Sequence, residues 1–251
     1  IAGIVYPKLI YGDDHAYSVS AAGTIPTLQG ITLEDIRAFA RQNLVSQAMQ
    51  VSVVGDLTQE EVLEKIAFLQ ALPNEDVQLR AQPGVSNIDE TTIYLVDKPG
   101  AAQSEIRIGY LSDLTYDAYG EYWERFLMNY TLGGAFNSRI NLNLREDKGY
   151  TYGARSGFSA GKLPGPFTAS ASVRTDTTAD SVVQFMNEIT GYLENGITPE
   201  ELAFTKDAIG QSEARDSETP GQKARLTDQI LTSHLPADFV RPQQAVITGM
   251  H

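Results

Sequence analysis

The 251-residue chain contains no cysteine. Disulfides, thiol nucleophiles and thiolate metal sites are therefore excluded. The absence suits an oxidising compartment, so a soluble periplasmic or secreted location is expected. Histidine is almost as scarce. His15, His234 and His251 are the full set, and no two lie three to five residues apart. A zinc site on a helix needs two histidines on one face, so none can be assembled locally. His15 and His234 read as single surface histidines. No Gly-x-Ser-x-Gly elbow is present, and Gly133-Gly134 lacks the lysine of a phosphate loop. Lysine and arginine are not clustered, and the net charge is −13. That balance excludes a nucleic-acid surface and is read as solubility. No apolar run is long enough to cross a bilayer. The opening Ile-Ala-Gly-Ile-Val-Tyr-Pro lacks the charged region and apolar core of a signal peptide, so the chain reads as an internal fragment or processed product.

What remains is an ordinary globular composition, 42% hydrophobic and 20% charged, with enough length for a substantial core. Residues 1–30 read as loop with short extended pieces. Thr32 opens a helix, with Glu34 and Asp35 in its positive first turn and Ile36, Phe39 and Ala40 on one face. Met49–Val54 reads as a strand ended by Gly55-Asp56. Thr58 and Glu61 form a capping box, followed by the stripe Val62, Ile66, Leu69. Leu72–Glu90 has no periodicity and carries Pro73, Asn74, Pro83, Gly84 and Asn87, which places a domain boundary there. Strands are expected at Thr91–Asp97 and, after a Pro99-Gly100 turn, at Glu105–Leu111. Tyr119, Tyr122, Trp123, Phe126, Leu127 and Tyr130 follow helical spacing and predict a buried aromatic stripe. Phe167, Ala169, Ala171 and Val173 alternate as one face of a strand. Helices are expected from about Ala179 to Leu193, ended by Asn195-Gly196, and from Thr198-Pro199 onward. Ser212–Gln222 reads as polar and exposed.

The chain is organised around Leu132–Tyr152. Gly133 and Gly134 are expected to stop the aromatic helix in a left-handed cap. Asn137 or Ser138 then caps a short helix bearing Ile140 and Leu144, and Gly149 ends it. Tyr150 and Tyr152 alternate as in a strand. Arg145 and Tyr152 thus flank a glycine turn that can bring their polar tips together. Spacing by itself favours a plainer reading, in which Arg145 pairs with Glu146, Asp147 or another acid and Tyr152 simply packs. The paired carboxylates Glu60-Glu61 and Glu200-Glu201 are explained as helix starts, so the residues alone show no complete catalytic set.

Gly133-Gly134-Ala135-Phe136-Asn137-Ser138-Arg139-Ile140, Leu144-Arg145-Glu146, Gly149-Tyr150 and Tyr152 resemble the fingerprint of the insulinase/pitrilysin/mitochondrial processing peptidase family, the inverzincins. Tyr94–Ser104 is similar to the opening strand of that family's second, non-catalytic domain, and Val51–Asp56 to the closing strand of its first. The resemblance implies an α+β fold, with helices packed on a mixed, largely antiparallel sheet, in two homologous units. Residues 1–72 would be the C-terminal half of a first, incomplete unit, 73–90 a linker, and 91–251 a second, inactive unit short of its last helix and strand. It implies no catalytic residue and no metal in this chain alone. Zinc would be supplied by a His-x-x-Glu-His partner domain or chain. Arg145 and Tyr152, seven positions apart, match the family's arginine and tyrosine that face the zinc across a chamber and would bind peptide substrate; this reverses the preference drawn from spacing. The implied role is the non-catalytic, substrate-facing part of a zinc metallopeptidase. The alternative is a structural scaffold that kept the fold and lost peptidase work.

Overall fold

The structure, a computed structural model, describes residues 1–77, 80–85, 90–215 and 217–251, with the backbone alone at 213–215. In chain order it contains α1 (Ala2–Tyr11), α2 (Ile25–Gly30), α3 (Leu33–Asn43), α4 (Gln59–Ile66), β1 (Gln103–Leu111), α5 (Glu121–Asn129), α6 (Arg139–Asn141), β2 (Thr151–Phe158), β3 (Pro166–Arg174), α7 (Thr178–Asn195), α8 (Pro199–Arg215), α9 (Pro220–Thr232) and α10 (Val240–Gly249). Two compact units are formed. One comprises Ile1–Gly12, Val85–Ser212 and Asp238–His251, the other Asp13–Gly84 and Glu213–Ala237.

The first unit is built on an antiparallel three-stranded sheet in the order β1-β3-β2. The central strand β3 alternates small or apolar residues with Thr168, Ser170 and Ser172. Phe167, Ala169, Ala171 and Val173 all point into the core, as their period of two requires. They meet Leu132, Ile140 and Leu144 from the central stretch, together with Phe185 and Tyr192 of α7. Gly196, at φ 69°, closes α7 by returning its N–H to Tyr192 O. A second cluster joins Leu127 of α5 to Ile209 of α8 and Ile247 of α10. The α+β architecture is thus helices on an antiparallel sheet.

In the second unit the capping boxes Thr32/Asp35, Thr58/Glu61 and Thr219/Gln222 are all formed. Yet α2, α3 and α4 contain no buried residue. Ile36 and Phe39, on the apolar face of α3, are exposed, Phe39 to 67%. Val45 is buried in this unit, and Ser46 N–H donates to Pro73 O at 2.9 Å.

Several expectations are corrected. Residues 2–11 are helix rather than loop, despite Pro7. Tertiary contacts decide the matter: Ile10 is buried, and the Tyr11 hydroxyl donates to Pro164 O. Met49–Val54 and Thr91–Asp97 form no ladder. A strand is defined by its partner; Leu95 stands 91% exposed, and among the described residues no strand pairs with this stretch. The Lys98–Ala101 turn does form, with Gly100 at φ 75°. The aromatic stripe of α5 is only partly buried. Leu127 is its enclosed residue, while Phe126 stacks on Trp123 at 5.1 Å and keeps 37% exposure. The stretch after Ser212 continues as helix to Arg215, then α9 begins at Pro220; Glu213–Asp216 lie outside the residues with described side chains. Of the 73–90 stretch, residues 78–79 and 86–89 lie outside the described residues. His15 is buried rather than on the surface. Its Nδ1 accepts from Tyr17 N at 3.0 Å, and its carbonyl accepts from the Ser18 hydroxyl.

Candidate functional site

The central stretch does not stop at Gly133-Gly134. α5 widens into a π-helical turn over Tyr130–Gly134, and a second π-helical turn, Leu142–Asp147, follows α6. Such turns are rare and concentrate at functional sites. Neither glycine has a positive φ; Gly149 does, at 64°. The requirement at Gly133 is closeness. A Cβ there would run into the backbone N and the hydroxyl of Ser156 on β2.

Two asparagines pin these turns to the outer edge of β2. Asn129 Nδ2 donates to Ser156 O at 2.8 Å, and the Ser156 hydroxyl donates to Asn129 Oδ1 at 2.6 Å. Asn141 Oδ1 accepts from Ala154 N at 2.9 Å, while its Nδ2 donates to Phe136 O at 2.7 Å. Side chains thereby satisfy an edge that would otherwise present bare backbone groups. The register of β2 against β3 shifts between Thr151 and Ala154, next to Tyr152. Bulges of this kind re-aim side chains.

Arg139 proves to be structural. Its guanidinium holds Glu201 with two bonds of 2.6 Å, donates to Gly196 O and lies over the Tyr192 ring. The hydrogen bonds from Arg139 hold the Glu201 carboxyl below its usual range against the opposing effect of burial, and that same pairing raises Arg139. Ser138 occupies the N-cap position of α6, but its buried hydroxyl makes no hydrogen bond. Tyr150 donates to Asp180 Oδ2 at 2.8 Å; this bond raises the phenol and lowers the carboxyl.

The two candidate residues behave differently. Arg145 lies in the second π-helical turn with its guanidinium carbon 4.3 Å from the Phe136 ring centroid. Its Nη1 is 3.2 Å from Glu146 Oε1, close enough for an ion pair but not aligned for a hydrogen bond; that nitrogen is buried and has no hydrogen-bond partner. Tyr152 is 94% exposed and makes the wall of a groove of about 490 Å³ on the face of the sheet opposite the core. Glu105, Arg155, Ser170 and Ser172 also line this groove, whereas Arg145 does not. The sequence reading missed that floor. Its signal was present as the polar half of the alternation whose apolar half marked β3 as a strand.

Zinc does not fit the donors present. Among the described residues no group of three or more His, Cys, Asp or Glu side chains could hold a metal ion. His15 is committed to the Tyr17 N–H, and His251 Nδ1 lies 2.8 Å from Gly249 O. No helix of the described residues is long and apolar enough to cross a membrane.

The fold is thus a helix-backed antiparallel sheet with an open polar face and, among the described residues, no group that could hold a metal ion. The sequence matches the family described as peptidase M16 inactive domain over residues 30–209, and the chain belongs to that family. It is 24% identical over 82% of its length to an uncharacterized zinc protease of Streptomyces coelicolor, covering 45% of that protein. It is also 24% identical over 88% of its length to the non-peptidase homolog YmxG of Helicobacter pylori, covering 50% of it. The chain thus spans about half the length of the curated relatives it matches. The crystal structure of a peptidase M16 inactive domain from Pseudomonas fluorescens has the same fold, with a TM-score of 0.85 and 23% identity over all of this chain and 58% of that one.

Proposed function

We propose that the chain is the non-catalytic, substrate-facing part of an inverzincin-type zinc metallopeptidase, in which a zinc-bearing partner domain or chain cleaves the peptide. The observation that carries this reading is Tyr152. A large aromatic side chain stands almost fully exposed on a strand, above a polar groove, at the end of the family fingerprint. Its hydroxyl is free to bond a substrate carbonyl or the oxyanion that develops from it. Arg145 supports the reading through its partly exposed guanidinium, which carries further N–H donors beyond the nitrogen beside Glu146. The proposed organisation is the C-terminal half of a first peptidase-like domain at 1–72, a linker at 73–90 and a second, inactive, Arg/Tyr-bearing peptidase-like domain at 91–251. A periplasmic or secreted location fits the absence of cysteine.

The test is co-expression with a candidate partner chain that carries His-x-x-Glu-His. In the complex, Tyr152→Phe lowers turnover by about 2–4 kcal/mol of transition-state stabilisation, and Arg145→Ala raises KM. Melting curves and association are unchanged in both. Full activity in a folded Arg145→Ala/Tyr152→Phe double variant overturns the reading. The second reading, a scaffold without peptidase work, is favoured by the local contacts of Arg145 with Glu146 and Phe136, and that outcome would leave it standing.

A further inference from the structure

Among the described residues, α1 covers one end of the open face of the sheet. There the Tyr6 hydroxyl of α1 is 2.9 Å from Thr168 Oγ1, and Gly109 leaves the space that Tyr6 occupies. The other end is the groove beneath Tyr152. Its charges are unequal in their commitments. Glu105 is already neutralised, because Arg107 Nη2 donates to its Oε1 at 2.9 Å and the Ser172 hydroxyl donates to its Oε2. Arg155 pairs in register with Ser170, which in turn pairs with Arg107 on the far strand. Arg155 itself has no acidic side chain in ion-pair contact among the described residues. The groove therefore carries an uncompensated positive charge, although the whole chain carries −13. A guanidinium fork binds a carboxylate bidentately.

We propose that this groove selects peptides bearing an acidic side chain. The peptide lies extended along the sheet, its carboxylate held by Arg155 and the Ser170 hydroxyl, with a neighbouring side chain against the Tyr152 ring. The inference rests on the substrate-facing reading above and names the substrate class for it. Adjacent strands are about 4.8 Å apart, and Arg155 and Ser170 are register partners that both line the groove, so one carboxylate can be shared between them. A lysine or arginine at the same position meets the like charge of Arg155.

Fluorescence anisotropy on the purified chain tests this with two labelled heptapeptides that differ only in a central Glu or Gln. The Glu peptide is expected to bind roughly tenfold tighter, as a charge-assisted contact over a neutral one. The preference shrinks with added salt and disappears in Arg155→Gln, whose fold is checked by its melting curve. Equal binding of the two peptides, both weakened by Tyr152→Ala, overturns the acidic preference but keeps the substrate-facing reading. Failure of either peptide to bind at millimolar concentration removes the groove as a peptide site and counts against both.

Discussion

Gly133 is what allows a π-helical turn to lie directly on β2, since any side chain there meets Ser156. Gly133→Ala is therefore expected to destabilise the chain by about 1–3 kcal/mol through overpacking, read as a lower denaturant midpoint. Gly134→Ala meets Asn129 O at 3.3 Å and Asn129 Nδ2 at 3.4 Å, a tight approach but a much milder one, and should cost less; equal costs would refute the argument from close approach. Arg139 supports a second expectation. Removing it strands a half-buried Glu201, so Arg139→Ala should cost about 1.5–3 kcal/mol. The pairing also ties stability to pH. Glu201 is held below its unfolded value, so its contribution is complete above about pH 4.3 and fades as the pH falls through the lower folded value. Wild type should lose more stability than Arg139→Ala across that acid range; parallel curves would show that the pair is not coupled to folding. The fingerprint residues were visible in the sequence, but their duties were not. Arg139 and Arg145 are both arginines of one motif, and only the surroundings make one a brace for α8 and leave the other with a buried nitrogen that makes no hydrogen bond.

At the scale of elements, α5 shows how a periodic stripe is divided by its neighbours. Leu127 is enclosed by Ile209 and Ile247, whereas Phe126 lies at the margin on Trp123. Leu127→Ala should cost about 2–5 kcal/mol, and Phe126→Ala clearly less, because part of its ring stays in water either way. The reverse order in denaturant melts would mean that the buried face is wrongly placed. Helices α3, α4, α7 and α8 were legible because caps and period lie within the helix itself. Strand β3 was legible because its two faces differ in polarity. The stretches at 49–54 and 91–97 have the composition of strands, but pairing is supplied from elsewhere in a chain and composition carries no record of it. Helix α1 was hidden for the opposite reason. Pro7 and Gly3 argue locally against a helix, and the contacts that override them are with Thr168 and Pro164, far along the chain.

For the molecule as a whole, the two compact units differ in what holds them. The sheet unit has a continuous core in which β3 is buried along one face. In the other unit, α2, α3 and α4 are capped correctly yet bury nothing, and Ile25, Leu33, Ile36 and Phe39 face outward. Caps contribute about 1 kcal/mol each, and helices shorter than about 12–15 residues are marginal without tertiary burial. Local opening should therefore be easy in α2–α4 and hard in β3. Hydrogen exchange followed by mass spectrometry on the purified chain should show amides of Leu33–Asn43 and Gln59–Ile66 exchanging orders of magnitude faster than those of Pro166–Arg174. Repeating the measurement with the proposed zinc-bearing partner added separates two causes. If the apolar stripe of α3 is an uncovered half of a core, its amides slow sharply once the covering partner is present. If they exchange slowly in the isolated chain already, the helices are stable without burial, and the apolar stripe of α3 needs no covering partner.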